Sequence, residues 1–272
     1  MGSEMCIRDS YRRIRNTVRF MLANIEDFSI NDHFMAPEDW LEIDRYALQS
    51  AVALQGRTIE NYEKFDFHQV VKGLQHFCSE DMGGFYLDII KDRLYTSPPN
   101  SRGRRAAQNA LYHMVRSLVT LFAPILSFTA EEAWTNLGES NDDSVLLHKW
   151  YVFPDVGEDL IPEWSYIRDV RSIVQKSIEE KRAQGVIGSS LQAKVEIEAP
   201  ERALKCLSRL GKDLKYVLLT SAVSIKPASS DMLVVHVSSS LDQKCSRCWH
   251  HTPDAVSYTH LRAHETSLHL VC

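Results

Sequence analysis

Two patterns in this sequence of 272 residues have the composition that binding chemistry requires, a closely spaced cysteine pair and short clusters of basic residues. Two residues separate Cys245 from Cys248, a spacing that lets both thiolates of a tight turn face one zinc ion. His260 and His264 follow at a spacing close to that of a two-cysteine, two-histidine zinc finger. We reject the finger interpretation, because Thr252 stands where that motif has an aromatic residue. The cysteine pair remains the metal-ligating candidate.

The basic residues are the candidates for contacts with phosphate. They form three clusters, which comprise Arg12, Arg13, Arg15 and Arg19, then Lys91 and Arg93, then Arg102, Arg104 and Arg105. Affinity for phosphate depends on clustering more than on the sum of charges, so the net charge of −5 argues against a generally basic coat and leaves a local patch open. A solvated helix face is the alternative interpretation of each cluster, and sequence alone favours it.

Hydrophobic periodicity predicts the elements that must position these residues. Apolar residues recur at intervals of three and four from Tyr11 to Ile25, which predicts a helix whose opposite face bears the first basic cluster. Similar spacing predicts further helices up to residue 137, with a break at Gly83-Gly84. Thr129 and Glu132 fit a capping box at the start of the last one. The first part of the chain is therefore predicted to be a bundle of roughly five or six helices.

The pattern changes after about residue 150. One more helix is predicted over 164–183, a strand over 191–198, helical structure over 203–219 and short strands over 223–226 and 232–237. The predicted fold class is mainly α, with a helical bundle followed by a small α+β domain and the cysteine pair. No apolar run approaches the roughly 20 residues that span a bilayer, and the start has no signal-peptide core. We expect a cytoplasmic protein.

The two ends are related to each other at the level of DNA. Met5-Cys-Ile-Arg-Asp-Ser10 can be back-translated into DNA whose reverse complement encodes Val-Ser-Tyr-Thr-His, the sequence of residues 256–260. Transposase adapters flank a DNA fragment of a sequencing library with such an inverted repeat. We therefore hypothesise that residues 1–10 and 256–272 are translated adapter, which includes both histidines of the rejected finger. The same codons at the same ends of an independently amplified genomic copy would refute the hypothesis.

Three segments of the predicted bundle carry a resemblance to a known family. They are Tyr11-Arg-Arg-Ile-Arg-Asn-Thr-Val-Arg-Phe20, Phe85-Tyr-Leu-Asp-Ile-Ile-Lys-Asp-Arg-Leu-Tyr95 and Pro124-Ile-Leu-Ser-Phe-Thr-Ala-Glu-Glu-Ala-Trp134. In this order they resemble the anticodon-binding domain of class I isoleucyl-tRNA synthetases. Lys244-Cys-Ser-Arg-Cys-Trp-His250 resembles the first half of the zinc module that ends bacterial members of that family. The second and third segments also resemble the valyl and leucyl relatives, whereas Arg-Asn-Thr and Cys-x-Arg-Cys-Trp-His favour the isoleucyl family.

The resemblance implies a domain organisation and a set of binding residues. Residues 11–152 would form the helical anticodon-binding domain, 153–240 a small α+β domain and 241–255 a truncated zinc module. Because no second cysteine pair completes that module, Cys245 and Cys248 are predicted to be a largely metal-free half-site in a disordered segment beyond Ser240. The residues implied to bind tRNA, through phosphate and sugar contacts, a base-edge hydrogen bond and base stacking, are Arg15, Asn16, Arg19, Lys91, Arg93, Tyr95 and Trp249.

Structural roles are the alternatives for several of these residues. Arg15 and Lys91 would pair with nearby carboxylates, Asn16 would brace the bundle, and Tyr95 would pack in the core. The sequence has neither His-Ile-Gly-His nor Lys-Met-Ser-Lys-Ser, the signatures of the family's catalytic domain, and no Gly-rich phosphate loop or editing domain.

We therefore expect a monomeric chain that recognises tRNA(Ile) and is inactive alone. ATP would act only through the missing catalytic domain, and zinc would belong to the intact family member. The alternatives are a free-standing RNA-binding or protein-interaction module and a structural bundle whose arginines bind no RNA.

Overall fold

The computed structural model describes residues 2–138, 143–228, 230–253 and 255, and it contains two compact units. The first unit is built from the described residues within Met1–Asp88 and Arg102–Asp159, and the second from those within Ile89–Ser101 and Leu160–Cys272. Within these described ranges, no helix combines the length and the apolar character that crossing a membrane requires. Residues 256–272, which hold the C-terminal part of the hypothesised adapter and both finger histidines, lie outside the described residues, whereas residues 2–10 of its N-terminal part belong to the first helix.

The first unit is a bundle of helices. Its elements are α1 (Gly2–Asn24), α2 (Ile30–His33), α3 (Glu42–Glu63), α4 (Phe67–His76), a π-helix (Phe77–Tyr86), the first residues of α5 (Leu87–Thr96), α6 (Arg102–Phe122) and α7 (Ser127–Asn136), with short 3-10 helices at Pro37–Asp39 and Val145–Leu147. The central helix is α6, which packs against α1, α3 and α7. It is buried on every face, and its alanines, such as Ala107 and Ala110, let neighbouring helices approach closely. The predicted helical bundle is confirmed.

The predicted break at Gly83-Gly84 is wrong. The helix that begins at Phe67 continues through the π-helix into α5. A Cβ atom on Gly83 would lie 3.1 Å from the carbonyl oxygen of Cys78, so the glycines fit the crowded inner side of the wider π turn. The same carbonyl oxygen accepts a hydrogen bond from the hydroxyl of Thr17 on α1 at 3.2 Å. The glycines serve close packing here, which a local pattern cannot distinguish from a break.

The predicted capping box at Thr129 and Glu132 is also wrong. The last helix of the bundle, α7, already begins at Ser127, and its N-cap residue makes no side-chain hydrogen bond. The hydroxyl oxygen of Thr129 instead lies 3.2 Å from that of Tyr11, and Glu132 binds Arg15. Tertiary partners on α1 therefore replace the local contacts that the pattern indicated.

The second unit combines helices with a small sheet. It contains the rest of α5, then α8 (Ile161–Ala183), α9 (Glu201–Leu210) and α10 (Leu214–Leu218), and the strands β1 (Ala193–Ala199), β2 (Ala222–Pro227) and β3 (Val234–Ser239). The strand order is β2-β1-β3, with β1 parallel to β2 and antiparallel to β3. The parallel pair is connected through α9 and α10, as a parallel connection requires. A stripe of α8 residues at helical spacing, including Trp164, Ile167 and Val174, is fully buried. The predicted small α+β part is confirmed.

Candidate functional site

Three of the residues implied to bind RNA lie on one wall of a groove in the first unit, which we call the α1 groove. Arg15, Asn16 and Arg19 line it from α1, and α7 contributes Glu132 and Asn136. The cavity has a volume of about 1190 Å³. Asn16 and Arg19 are exposed, because the buried stripe of α1 faces α6 on the opposite side. The structure therefore brings these three residues together on an accessible surface.

A two-point ion pair fixes Arg15 in this groove. Its Nη1 and Nη2 atoms each donate to one carboxylate oxygen of Glu132 at 2.7 Å. Nη1 also donates to the hydroxyl of Tyr11 at 3.3 Å. Hydrogen bonding to Arg15 lowers the pKa of Glu132, and the hydrogen bond to Glu132 raises the pKa of Arg15. The structural alternative for Arg15, a carboxylate partner, is thus present in the structure, although the guanidinium still lines the groove.

The arginines of the third basic cluster make hydrogen bonds to groups of the chain itself. Arg104 donates two hydrogen bonds to the carboxylate of Asp27, at 2.7 and 3.0 Å, and Arg105 donates to the backbone carbonyl of Asp27. The side chain of Gln108, itself buried, adds a bond to the same carboxylate at 2.7 Å. The hydrogen bond from Arg104, which has the largest effect, and that from Gln108 hold the pKa of the Asp27 carboxyl below its usual range. Arg102 donates to the carbonyl of Asp39. The cluster joins the start of α6 to the segment after α1.

The other predicted residues belong to the second unit. Lys91 and Tyr95 lie one turn apart on α5 and share a face, and both are exposed. Tyr95 is 61% exposed, which excludes the alternative that it packs in the core. Arg93 points about 200° around the helix from Lys91, so α5 does not bring it onto the same face.

Residues 244–251, here called the knuckle, form a small hairpin around the cysteine pair. The backbone N–H of Cys245 donates to the carbonyl of His250 at 2.8 Å, and that of Trp249 donates to Cys245 at 3.0 Å. Lys244 pairs with His251 as an antiparallel bridge.

Two contacts anchor the knuckle within the second unit. The N–H of His251 donates to the hydroxyl of Ser221 at 2.6 Å, and Nε2 of the buried His250 lies 3.2 Å from the Asp92 carboxylate on α5. The predicted disorder beyond Ser240 is therefore wrong for residues 241–253, because these hydrogen bonds hold the segment against the rest of the second unit.

The metal-ligating prediction can be tested against the donors that the knuckle supplies. Cys245 and Cys248 are both buried in the turn, as ligands of one ion would be. In the described part of the chain, however, no group of three or more histidine, cysteine or acidic side chains is arranged to hold a metal ion. The ring of His250 is turned towards Asp92. The described donors thus do not fit a four-ligand zinc site.

Trp249 is presented in an unusual way. Its backbone φ is 64°, in the left-handed region that a bulky residue adopts only at an energetic cost of about 1–3 kcal/mol. Its side chain is nevertheless 60% exposed, with the ammonium of Lys244 5.2 Å from the ring centroid. The hairpin hydrogen bonds on both sides hold this conformation. The arrangement displays an aromatic face and a cation to solvent, which suits stacking with an unpaired base.

Sequence reasoning missed two residues of these surfaces, Glu132 and His250. The local pattern predicts a helix cap for Glu132, although its spacing from Thr129 and Asn136 places all three on one face of α7. The sequence indicates His250 only as part of the cysteine motif. Its burial beside Asp92 joins residues 158 positions apart, which no local pattern indicates.

Comparison with known proteins agrees with the resemblance. Residues 44–197 match the family described as the anticodon-binding domain of tRNA ligase. The chain is 53% identical over 256 residues to the isoleucine–tRNA ligase of Nitrosomonas europaea, which covers 92% of this chain and 27% of that protein. It is 51% identical to that of Thiobacillus denitrificans, over 90% of this chain and 26% of that protein. It is 49% identical to the isoleucine–tRNA ligase of Burkholderia multivorans, over 91% of this chain and 26% of that protein.

The chain thus spans about a quarter of the length of these relatives. The matched region forms most of the helical bundle and extends into the α+β part. This chain belongs to the family of anticodon-binding domains of tRNA ligases.

Proposed function

We propose that this chain recognises the anticodon stem-loop of an isoleucine tRNA. The observation that carries the proposal is the α1 groove, where the exposed Asn16 and Arg19 lie beside the fixed guanidinium of Arg15. Arginine contacts phosphate and sugar and so positions the RNA, and a side-chain amide can hydrogen-bond a base edge or a 2′-hydroxyl. Splayed bases of a loop are the usual target of sequence-specific RNA recognition.

The α5 face and the knuckle would form a second contact with the same RNA class. Tyr95 and Trp249 are exposed aromatic residues, and Lys91 and Lys244 lie close to them in the chain or in space. Aromatic platforms combined with cations bind unpaired bases with little sequence preference. We assign to this surface affinity rather than discrimination between anticodons.

The wider role follows from the relatives and remains part of the proposal. The relatives are named isoleucine–tRNA ligases, and we propose that this chain serves the same reaction as its tRNA-recognising part, in the cytoplasm and as a monomer. ATP and zinc would enter through other parts of such a ligase. In that role the chain binds and orients tRNA and catalyses no step itself.

A filter-binding titration at stated salt tests the proposal. We expect tighter binding of isoleucine tRNA than of the same tRNA with a swapped anticodon, and a loss of about tenfold in affinity (about 1.4 kcal/mol) for Arg19→Ala. Arg182→Ala is the matched control, because Arg182 is an exposed arginine on α8 whose ion pair among the described residues is with Glu179 of the same helix. Equal affinity for both tRNAs would contradict anticodon recognition. Unchanged affinity of Arg19→Ala would favour a structural bundle.

A further inference from the structure

Glu132 stands in the α1 groove without a role in the proposed contacts with RNA. A carboxylate in a groove that binds RNA repels phosphate, so its presence there needs a reason. It faces Arg15 from the neighbouring helix α7, 117 residues away in the sequence. The ion pair leaves 42% of the Arg15 side chain and 55% of the Glu132 side chain exposed. Exposed ion pairs contribute about 0–1 kcal/mol to folding stability unless their geometry is ideal, so bracing of the bundle by this two-point pair is the structural alternative that the test must separate.

The geometry of the pair fixes the orientation of the guanidinium. Two parallel hydrogen bonds of 2.7 Å make the arginine and the carboxylate coplanar, which a single bond would not do. Tyr11 accepts a further bond from Nη1, and the hydroxyl of Tyr11 lies in turn 3.2 Å from that of Thr129. The guanidinium is thus held from α1 and α7 together. The N–H of Nε and the second N–H of Nη2 are left to donate to RNA, and their directions are fixed.

We propose that Glu132 is a positioning residue that converts Arg15 from a phosphate-binding charge into a directional hydrogen-bond donor. The pair is neutral as a whole, so a phosphate gains little by approaching it. An acceptor on a base edge, or a 2′-hydroxyl, gains a hydrogen bond only if it lies in the plane that Glu132 sets. Arg19, on the same wall, has no carboxylate partner among the residues that the structure describes, and it supplies the charge.

This inference rests on the proposed function, because it names what Arg15 contributes to RNA binding. It separates two quantities that can be measured independently. Phosphate neutralisation appears in the dependence of log affinity on log salt, where each contact adds about 0.7–0.9 to the slope. Orientation appears in the ratio of affinities for isoleucine tRNA and an anticodon-swapped tRNA.

The test uses the whole chain with Glu132→Gln, Glu132→Asp and the control Glu60→Gln. Glu60 is an exposed carboxylate on α3 that pairs with Lys64, the residue just after that helix. The control therefore removes an equal charge from an exposed ion pair outside the groove. For Glu132→Gln we expect the salt slope to steepen by about 0.7–0.9 and the discrimination ratio to fall at least threefold. Glu132→Asp should keep the wild-type slope and still lose discrimination, because the charge stays while the two-point geometry is lost. Glu60→Gln should change neither quantity.

A purely structural role predicts a different pattern. Both Glu132 variants would then lower the melting temperature and weaken the binding of both tRNAs equally, while the salt slope stays unchanged. This result would overturn the inference. Unchanged slope and ratio in a stable Glu132→Gln variant would also overturn it. If wild-type chain binds both tRNAs equally, the proposed function fails, while the slope of Glu132→Gln still shows whether Glu132 masks the charge of Arg15. If wild-type chain binds no tRNA, both fail.

Discussion

The α1 groove and the α5–knuckle surface present similar side chains but hold them by different means. In the groove, the helices α1 and α7, both packed on the buried α6, set the positions of Arg15 and Arg19. In the knuckle, a hairpin of a few residues sets the position of Trp249 through backbone hydrogen bonds and the anchor of His250 on Asp92. The first arrangement depends on core packing, and the second depends on individual polar contacts. Substitutions in the core and substitutions of single hydrogen-bonding groups should therefore affect the two surfaces to different extents.

The largest effect on stability should come from a substitution that creates a cavity in the core of the bundle. Leu111 on α6 is completely buried, and Leu111→Ala should destabilise the first unit by about 2–5 kcal/mol. Leu147→Ala is the matched control, since Leu147 is 75% exposed and its truncation should change stability by less than about 0.5 kcal/mol. Urea unfolding followed by circular dichroism measures both. Equal effects of the two substitutions would contradict the central position of α6.

Acid should weaken the bundle next, through one buried histidine. His113 on α6 is 7% exposed, its Nδ1 lies 2.6 Å from the Tyr151 hydroxyl, and burial, with Arg116 nearby, lowers its pKa to about 4. The unfolded chain, with a histidine pKa near 6.5, binds this proton more readily than the folded chain does. The resulting stability is thus complete above about pH 6.5 and declines as the pH falls towards 4.

Between pH 7 and pH 5 this histidine should account for a loss of about 2 kcal/mol in the free energy of unfolding. His113→Gln keeps a hydrogen-bonding side chain without a titrating ring, so its stability should fall less over the same range. Urea titrations of both proteins at the two pH values give the difference. An identical pH dependence would assign the acid sensitivity to other groups.

The sequence predicts the helices and strands of each unit far better than the contacts that these elements make within their unit. Periodic apolar residues were sufficient for α1, α6 and α8, because a helix that packs on one side repeats its buried residues at helical spacing. The capping pattern at Thr129 failed because its side chains have partners on α1 instead, more than 100 residues away. The order of the knuckle was missed for the same reason, since Ser221 and Asp92 are remote in sequence. Interactions between distant residues leave no local signal.

Removal of the stacking platform should affect RNA binding without affecting the fold. Trp249→Ala should weaken binding of isoleucine tRNA and of the anticodon-swapped tRNA alike, by roughly 1–3 kcal/mol, because stacking accepts any base. Arg19→Ala in the groove provides the contrast, since it should weaken binding through charge and reduce the salt slope by about 0.7–0.9. Filter binding at several salt concentrations distinguishes the two. A change in anticodon preference on Trp249→Ala would mean that the knuckle, too, discriminates between anticodons.

The smallest effect should come from metal removal, which probes whether the knuckle depends on its hydrogen bonds alone. Dialysis of the whole chain against a chelator should leave the melting temperature unchanged and the zinc content far below one ion per chain, because Cys245 and Cys248 lack the further ligands of a stable site among the described residues. Ser221→Ala should loosen the knuckle instead, since the Ser221 hydroxyl accepts the N–H of His251 at 2.6 Å. Hydrogen exchange at residues 244–251 reports on both treatments. Tight stoichiometric zinc, with faster exchange after its removal, would show that the knuckle is held by a metal and differs from the groove in chemistry as well as in packing.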